Sequence, residues 1–287
     1  MLDKLAAYLR PGTVARDQPE SRREGEDGSP KIDYVWQMLS LPGGTHLQVL
    51  KQNYVPLGLI DMITDEPRLL LDVGCYCGTT GRLIKERWPN SVVVGIEPLI
   101  EAAKQAALNI DRVINTTFEA AKLEDNGLHP RTFDVIIFAD VLEHMYNPWA
   151  ALQAARELLT DDGVVLASIP NVRNLGLIHN LIEGRWKYEA AGLLDITHIR
   201  FFTLMEIHEL FAQTGFDIVD VSRNMDPTLV QLWNLGAEQE FVDVQLGRLA
   251  INGVTQADRK ELATLQHFVK ARKAGLNGQA QHSAVRV

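Results

Sequence analysis

The sequence predicts an α/β fold: a doubly wound, mostly parallel sheet of seven strands, one of them antiparallel, with helical additions at its N-terminal and C-terminal sides. Three observations carry this. Short apolar runs alternate with helical stretches from Leu69 to Ile169. The first run ends in a glycine-rich turn at Gly74 and Gly78. A late segment, Gln266 to Arg272, sets His267, Val269 and Ala271 against Phe268, Lys270 and Arg272, the period-two pattern of a strand.

The elements follow in order. Residues 1–31 read as a flexible segment, 11–31 being dense in Arg, Asp, Glu, Ser and Gly with nothing apolar recurring. Residues 32–66 carry apolar residues at helical spacing, interrupted by Pro42-Gly43-Gly44, and form a helical extension or lid. The main domain covers 67–273. Leu69 to Val73 is its first strand, Thr79 to Arg87 its first helix, and Ser91 to Ile96 its second strand. Ile100 to Leu108 is helical, Val113-Ile114 a weak third strand, and Phe133 to Phe138 a strong fourth. Pro148 to Leu159 is a helix with proline in its first turn, and Asp161-Asp162-Gly163 turns into a fifth strand, Val164 to Ile169. Two insertions are set apart, 174–203 and 227–263: Asn174 to Lys187 reads as helix and the second insertion as mostly helical and irregular. Leu204 to Thr214 is an amphipathic helix, Phe216 to Val221 a sixth strand, and 274–287 a flexible tail.

Composition narrows the partners. The formal net charge of −9 disfavours nucleic acid, whose sequence-independent affinity needs many Lys and Arg contacts. No run approaches the ~18 apolar residues of a membrane span. Met1 to Arg10 carries Asp3, Lys4 and Arg10 without an apolar signal core, and Cys75 and Cys77 are the only cysteines, so a reduced cytoplasmic setting is expected. A homodimer is compatible with this composition.

The chemistry starts at Asp72-Val73-Gly74-Cys75-Tyr76-Cys77-Gly78. In an open α/β sheet, ligands sit at the carboxyl ends of the strands, and such a turn lets backbone pass close to one. A dinucleotide fingerprint would require Gly at positions 76 and 79, where the chain has Tyr76 and Thr79. An acid followed by G-x-G-x-G matches at Asp72, Gly74 and Gly78 and misses at Tyr76. Glu97 ends the second strand, about 20 residues beyond the turn, where a carboxylate can accept both hydroxyls of a ribose.

These residues resemble the class I S-adenosylmethionine (SAM)-dependent methyltransferases, with their Rossmann-like sheet, over roughly Leu69 to Arg272. The resemblance implies SAM as cofactor: Gly74 and Gly78 flank its methionine part, Asp72 holds the amino end and Glu97 the ribose. Cys75, Pro98, Phe118, Asp140 and Val141 complete the implied cofactor-binding set. Tyr76 must point away from the ligand or lie along it.

Directly after the fourth strand comes Asp140-Val141-Leu142-Glu143-His144, and later Asp195-Ile196-Thr197-His198. Ionisable residues beside a buried strand are costly unless used or solvated. Both segments resemble the branch that includes ubiquinone-biosynthesis O-methyltransferases and methyltransferases encoded with polysaccharide glycosyltransferases. His144 or His198 is then the candidate general base for an acceptor hydroxyl. The alternative is a divalent ion such as Mg²⁺ held by Asp140, Glu143, His144 and His198, as a similar set does in small-RNA 2′-O-methyltransferases. Arg200 and Lys187 are candidates for an anionic acceptor, and Trp186 and Tyr188 for stacking on a sugar face.

The expected reaction is O-methylation of a small or carrier-linked acceptor in carbohydrate or secondary-metabolite biosynthesis, a sugar favoured. N-methylation of an amino sugar, a non-catalytic SAM-fold partner and a nicotinamide-dependent oxidoreductase are the rivals; Tyr76 and Thr79 break the fingerprint of the last. Residues 32–65 and 174–203 are expected to cover the cofactor and exclude water.

Overall fold

A computed structural model describes residues 55–275, except 120, 122, 190 and 235–237. Expectations placed on 1–31, on 32–54 and on 276–287 lie outside the described residues. The chain divides into two compact units. Among described residues the first comprises 55–171, 198–224 and 266–275, and the second 172–197 and 225–265.

The first unit holds the sheet. A single helical turn, α1 (Leu57–Ile60), precedes β1 (Leu69–Val73), α2 (Thr79–Arg87), β2 (Val92–Ile96), α3 (Ile100–Ala106), β3 (Arg112–Ile114) and β4 (Phe133–Ala139). A short 3₁₀ turn, Leu142–His144, leads to α4 (Pro148–Leu158) and β5 (Leu159–Pro170). Seven strands align in the order β3-β2-β1-β4-β5-β9-β6, where β6 is Phe216–Met225 and β9 is Thr264–Lys273. The sheet is mostly parallel: Leu71 lies opposite Val94 on β2 and Ile136 on β4. β9 runs antiparallel to β5, with Val269 opposite Ala167, as the alternation at 266–272 predicts.

The continuous apolar runs have a direct cause, since both faces of this sheet are covered. Leu71, Ile136, Phe138 and Val269 pack on one face with Leu152 of α4 and Phe211 of α6 (Leu204–Gln213). Leu70, Val135, Ile137 and Phe268 pack on the other with Leu59 and Ile84. Helix α2 approaches so closely that a Cβ on Gly81 would stand 2.4 Å from Ile110 Cγ2. Helix α4 starts where expected: Pro148 fills its first position and the Asn147 side chain accepts from the Ala150 amide.

Several expectations need correction. β5 begins at Leu159, so Asp161-Asp162-Gly163 lies inside the strand as a bulge. The pairing passes from Phe133–Leu159 to Val135–Val164, and buried Gly163 fits because a Cβ there would meet the Phe133 carbonyl at 2.9 Å. β6 continues to Met225 rather than stopping at Val221. The insertion at 227–263 is not mostly helical. Between α7 (Pro227–Asn234) and α8 (Gln256–Ala263) it contains a hairpin of β7 (Phe241–Leu246) and β8 (Leu249–Thr255). Gly247 turns that hairpin with φ 57°, and Val244 and Leu246 face inward while Asp243 and Gln245 stay exposed.

The hairpin belongs to the second unit, which has its own core. Leu175 of α5 (Leu175–Ile182) packs with Leu229, Val244, Leu246, Val254 and Leu262. Helix α5 is shorter than the expected Asn174 to Lys187, its chain turning at Gly184 with φ 78°. Asn174 caps it by accepting from the Gly176 amide. Among the described residues, no helix is long and apolar enough to cross a membrane.

Candidate active site

The strand order reverses between β1 and β4, so their carboxyl ends open the crevice where such sheets bind ligands. β1 delivers Asp72 and Val73 into the glycine-rich turn. Gly74 and Gly78 take φ values of 69° and 74°, the left-handed region that favours glycine. A Cβ on Gly74 would meet Val141 Cγ2 at 2.8 Å, which places the turn directly against the segment after β4. Between the glycines, Tyr76 also has a positive φ, 48°. For a residue with a Cβ that conformation costs on the order of 1–2 kcal/mol.

Glu97 is 4% exposed, and both its oxygens brace backbone. Oε2 accepts from the Tyr76 amide at 2.9 Å and Oε1 from the Leu99 amide at 2.8 Å. This second duty could not be read in the sequence, because amide partners leave no residue-type signal. The next carbonyls are fixed too: Asn115 Nδ2 donates to Glu97 O and Pro98 O. Of the other implied cofactor residues, Cys75 is turned into packing, a Cβ on Gly95 meeting its Sγ at 2.4 Å. Burial pushes the Cys75 thiol up. Phe118 is buried edge-on against Phe138, ring centroids 5.7 Å apart.

Asp72 is 1% exposed, and its Oδ2 has no hydrogen-bond partner among the described residues. Burial first, and then the Glu97 carboxylate, raise its pKa from 3.8 to about 7. The folded protein therefore keeps a proton on Asp72 between about pH 4 and 7 that the unfolded chain has already lost. Where the folded state binds more protons, stability falls as pH rises, so this group is most destabilising above pH 7. A ligand ammonium placed beside Oδ2 would offset that penalty. In thermal melts, SAM should stabilise wild type more at pH 8 than at pH 5.5, and Asp72→Asn should flatten that dependence; equal shifts at both pH values for wild type would contradict it.

The second cluster is built where β4 ends. The segments bearing His144 and His198 are stitched together, for the Ile199 and Arg200 amides both donate to Glu143 O at 3.0 Å. Arg200 Nη2 also donates to the Tyr146 carbonyl. The Arg200 guanidinium, a candidate for an anionic acceptor, thus also pins the loop. The rings of His144 and His198 meet edge-on with centroids 4.7 Å apart. His198 Nε2 lies 3.9 Å from Glu143 Oε1, with both side chains buried. One potential donor atom from each of Glu143, His144 and His198 lies within 4.8 Å of the others.

Asp140 is not part of that group. Its backbone turns left-handed at φ 55°, and its Oδ1 accepts from Ser168 Oγ at 2.7 Å and Gln266 Nε2 at 2.8 Å. Its amide donates back to Ser168 Oγ at 2.9 Å, and Asn224 Nδ2 donates to Gln266 Oε1 at 3.0 Å. A polar row thus crosses β4, β5, β9 and β6 at the carboxyl edge. The donor atoms that lie together are those of Glu143, His144 and His198, while these bonds tie Asp140 to the neighbouring strands. The residue types of Ser168, Gln266 and Asn224 do not mark this row, because it forms only when the four strands align their ends. Trp186, Lys187 and Tyr188 are exposed residues of the other unit.

A family profile described as a methyltransferase domain matches residues 50–221, more than half of the chain. The chain belongs to the methyltransferase-domain family. It is a SAM-dependent methyltransferase. A ubiquinone biosynthesis O-methyltransferase of Neisseria meningitidis serogroup C is 26% identical over 174 residues, covering 58% of this methyltransferase and 72% of the relative. A malonyl-[acyl-carrier protein] O-methyltransferase of Geobacter sulfurreducens is 26% identical over 156 residues, covering 54% of this chain and 58% of that protein. Among solved structures, a plantazolicin methyltransferase in complex with SAH superposes with a TM-score of 0.54 at 15% identity, covering 83% of this methyltransferase and 94% of that chain. That likeness shows the shared fold.

Proposed function

We propose that this methyltransferase transfers the SAM methyl group to a hydroxyl of a small or carrier-linked acceptor, a sugar or polysaccharide intermediate favoured. The observation that carries the reading is the histidine pair beside Glu143, joined through Val141 to the Gly74 turn. The SAM sulfonium needs no activation as electrophile, whereas a hydroxyl is a poor nucleophile until its proton leaves. His144 or His198 takes that proton, and the buried Glu143 carboxylate stabilises the imidazolium that forms. Val141 holds the two segments in register, so the acceptor is aligned with the methyl group by position. The relatives named above for O-methylation support oxygen as the acceptor atom.

The same three side chains fit a divalent ion, which would lower the pKa of an acceptor hydroxyl. Two imidazoles and one carboxylate suit Mn²⁺ or Zn²⁺ better than Mg²⁺, which prefers an oxygen shell.

A turnover screen with SAM over sugar nucleotides, glycans, quinol precursors, other phenols and amino sugars tests the proposal. Methyl ethers on a hydroxylated sugar are the expected product. Turnover of amino sugars alone would shift the reading to N-methylation. SAM binding without turnover on any acceptor would favour a non-catalytic partner.

A further inference from the structure

We propose that Tyr76 is a cofactor-contacting residue whose side chain walls the ribose subsite beside Glu97. This rests on the SAM-binding reading and extends it to a residue where the chain departs from the glycine pattern. Position 76 lies between Gly74 and Gly78 and shares their left-handed backbone, with φ 48°. Glycine adopts that conformation without strain and a bulky aromatic residue does not, so strain here marks a side chain kept for a use. Packing does not supply that use: Tyr76 is half-buried and belongs to neither core cluster of the sheet unit. Its amide, bound to Glu97 Oε2 at 2.9 Å, anchors the residue beside the carboxylate expected to take the ribose. Burial first, then Cys77 and Glu97, push its phenol up to about 12, so the phenol also feels that carboxylate. An aromatic face covers a sugar ring well, and the phenolic O–H can bond to it while the ring stays in place.

The test uses the full chain, with calorimetric titration of SAM and SAH and ligand-free thermal melts on wild type, Tyr76→Gly, Tyr76→Asn and Tyr76→Phe. Glycine and asparagine tolerate the left-handed backbone, so their melting temperatures should hold or rise. Their Kd for SAM and for SAH should nevertheless rise roughly tenfold, the weight of one good aromatic or hydrogen-bonded contact. Phe should retain the ring's share and fall in between. A structural role would move stability and affinity in the same direction; the proposal requires them to separate. Should Tyr76→Gly fail to fold, Tyr76→Asn carries the same comparison. Wild-type binding with unchanged affinity in the folded Gly or Asn variant overturns the proposal. So does a loss confined to SAM, which would place the ring at the sulfonium rather than the ribose. A wild-type protein that binds neither ligand removes the cofactor reading itself, a result distinct from either.

Discussion

The double change His144→Ala/His198→Ala should lower turnover by ~10²–10⁴-fold while leaving SAM affinity intact. The two rings touch edge-on beside Glu143, and neither residue lies in the Gly74–Gly78 turn or at Glu97. If one histidine is the general base, its single replacement should account for most of the loss. The rate should then rise with pH as that imidazole loses its proton, and a chelator should do nothing. If the trio instead holds a metal ion, a chelator should abolish turnover, and Mn²⁺ should restore it. Each single ligand change, Glu143→Ala included, should then cost a similar large factor, because the ligands act as a unit. Full activity of the double variant in the presence of chelator would remove both versions and leave proximity and orientation alone.

Glu97→Ala should weaken SAM binding by ~1.5–3 kcal/mol, the weight of charge-assisted hydrogen bonds to the ribose. The structure makes the upper part of that range the better expectation. The same carboxylate accepts from the Tyr76 and Leu99 amides, so its loss also releases the turn that presents Gly74 and Gly78. Glu97→Gln separates these contributions, since its side-chain oxygen can keep one amide bond while the charge is gone. Removing the charge should also let Asp72 ionise more easily, because Glu97 is the second cause of its raised pKa. The pH dependence of SAM stabilisation should shift downward accordingly. Calorimetry showing wild-type affinity for Glu97→Ala would withdraw the ribose role from this residue.

What could be read from residues alone was whatever a short window encodes. Apolar runs at Leu69–Val73 and Phe133–Phe138, the glycines at 74 and 78 and the alternation at 266–272 each report a local backbone state. That is why the strands, the turn and the antiparallel β9 were expected near their observed places. The β7–β8 hairpin is hard to read because the alternation of β8 breaks at Asn252-Gly253, both exposed, where the pairing passes from Val242–Val254 to Val244–Ile251. The candidate cluster divides along the same line. His144 and Glu143 are neighbours in the chain, so their shared location was legible. Only tertiary structure could bring His198 against them, through the Ile199 and Arg200 amides on the Glu143 carbonyl. Only strand order could tie Asp140 to Ser168 and Gln266, which lie 28 and 126 residues away and reach it from β5 and β9. Residue types and their local period thus determined the fold class and the glycine-rich turn by themselves. Which polar side chains face one another was decided by pairing between distant strands, whose hydrogen bonds join backbone groups that carry no residue-specific mark.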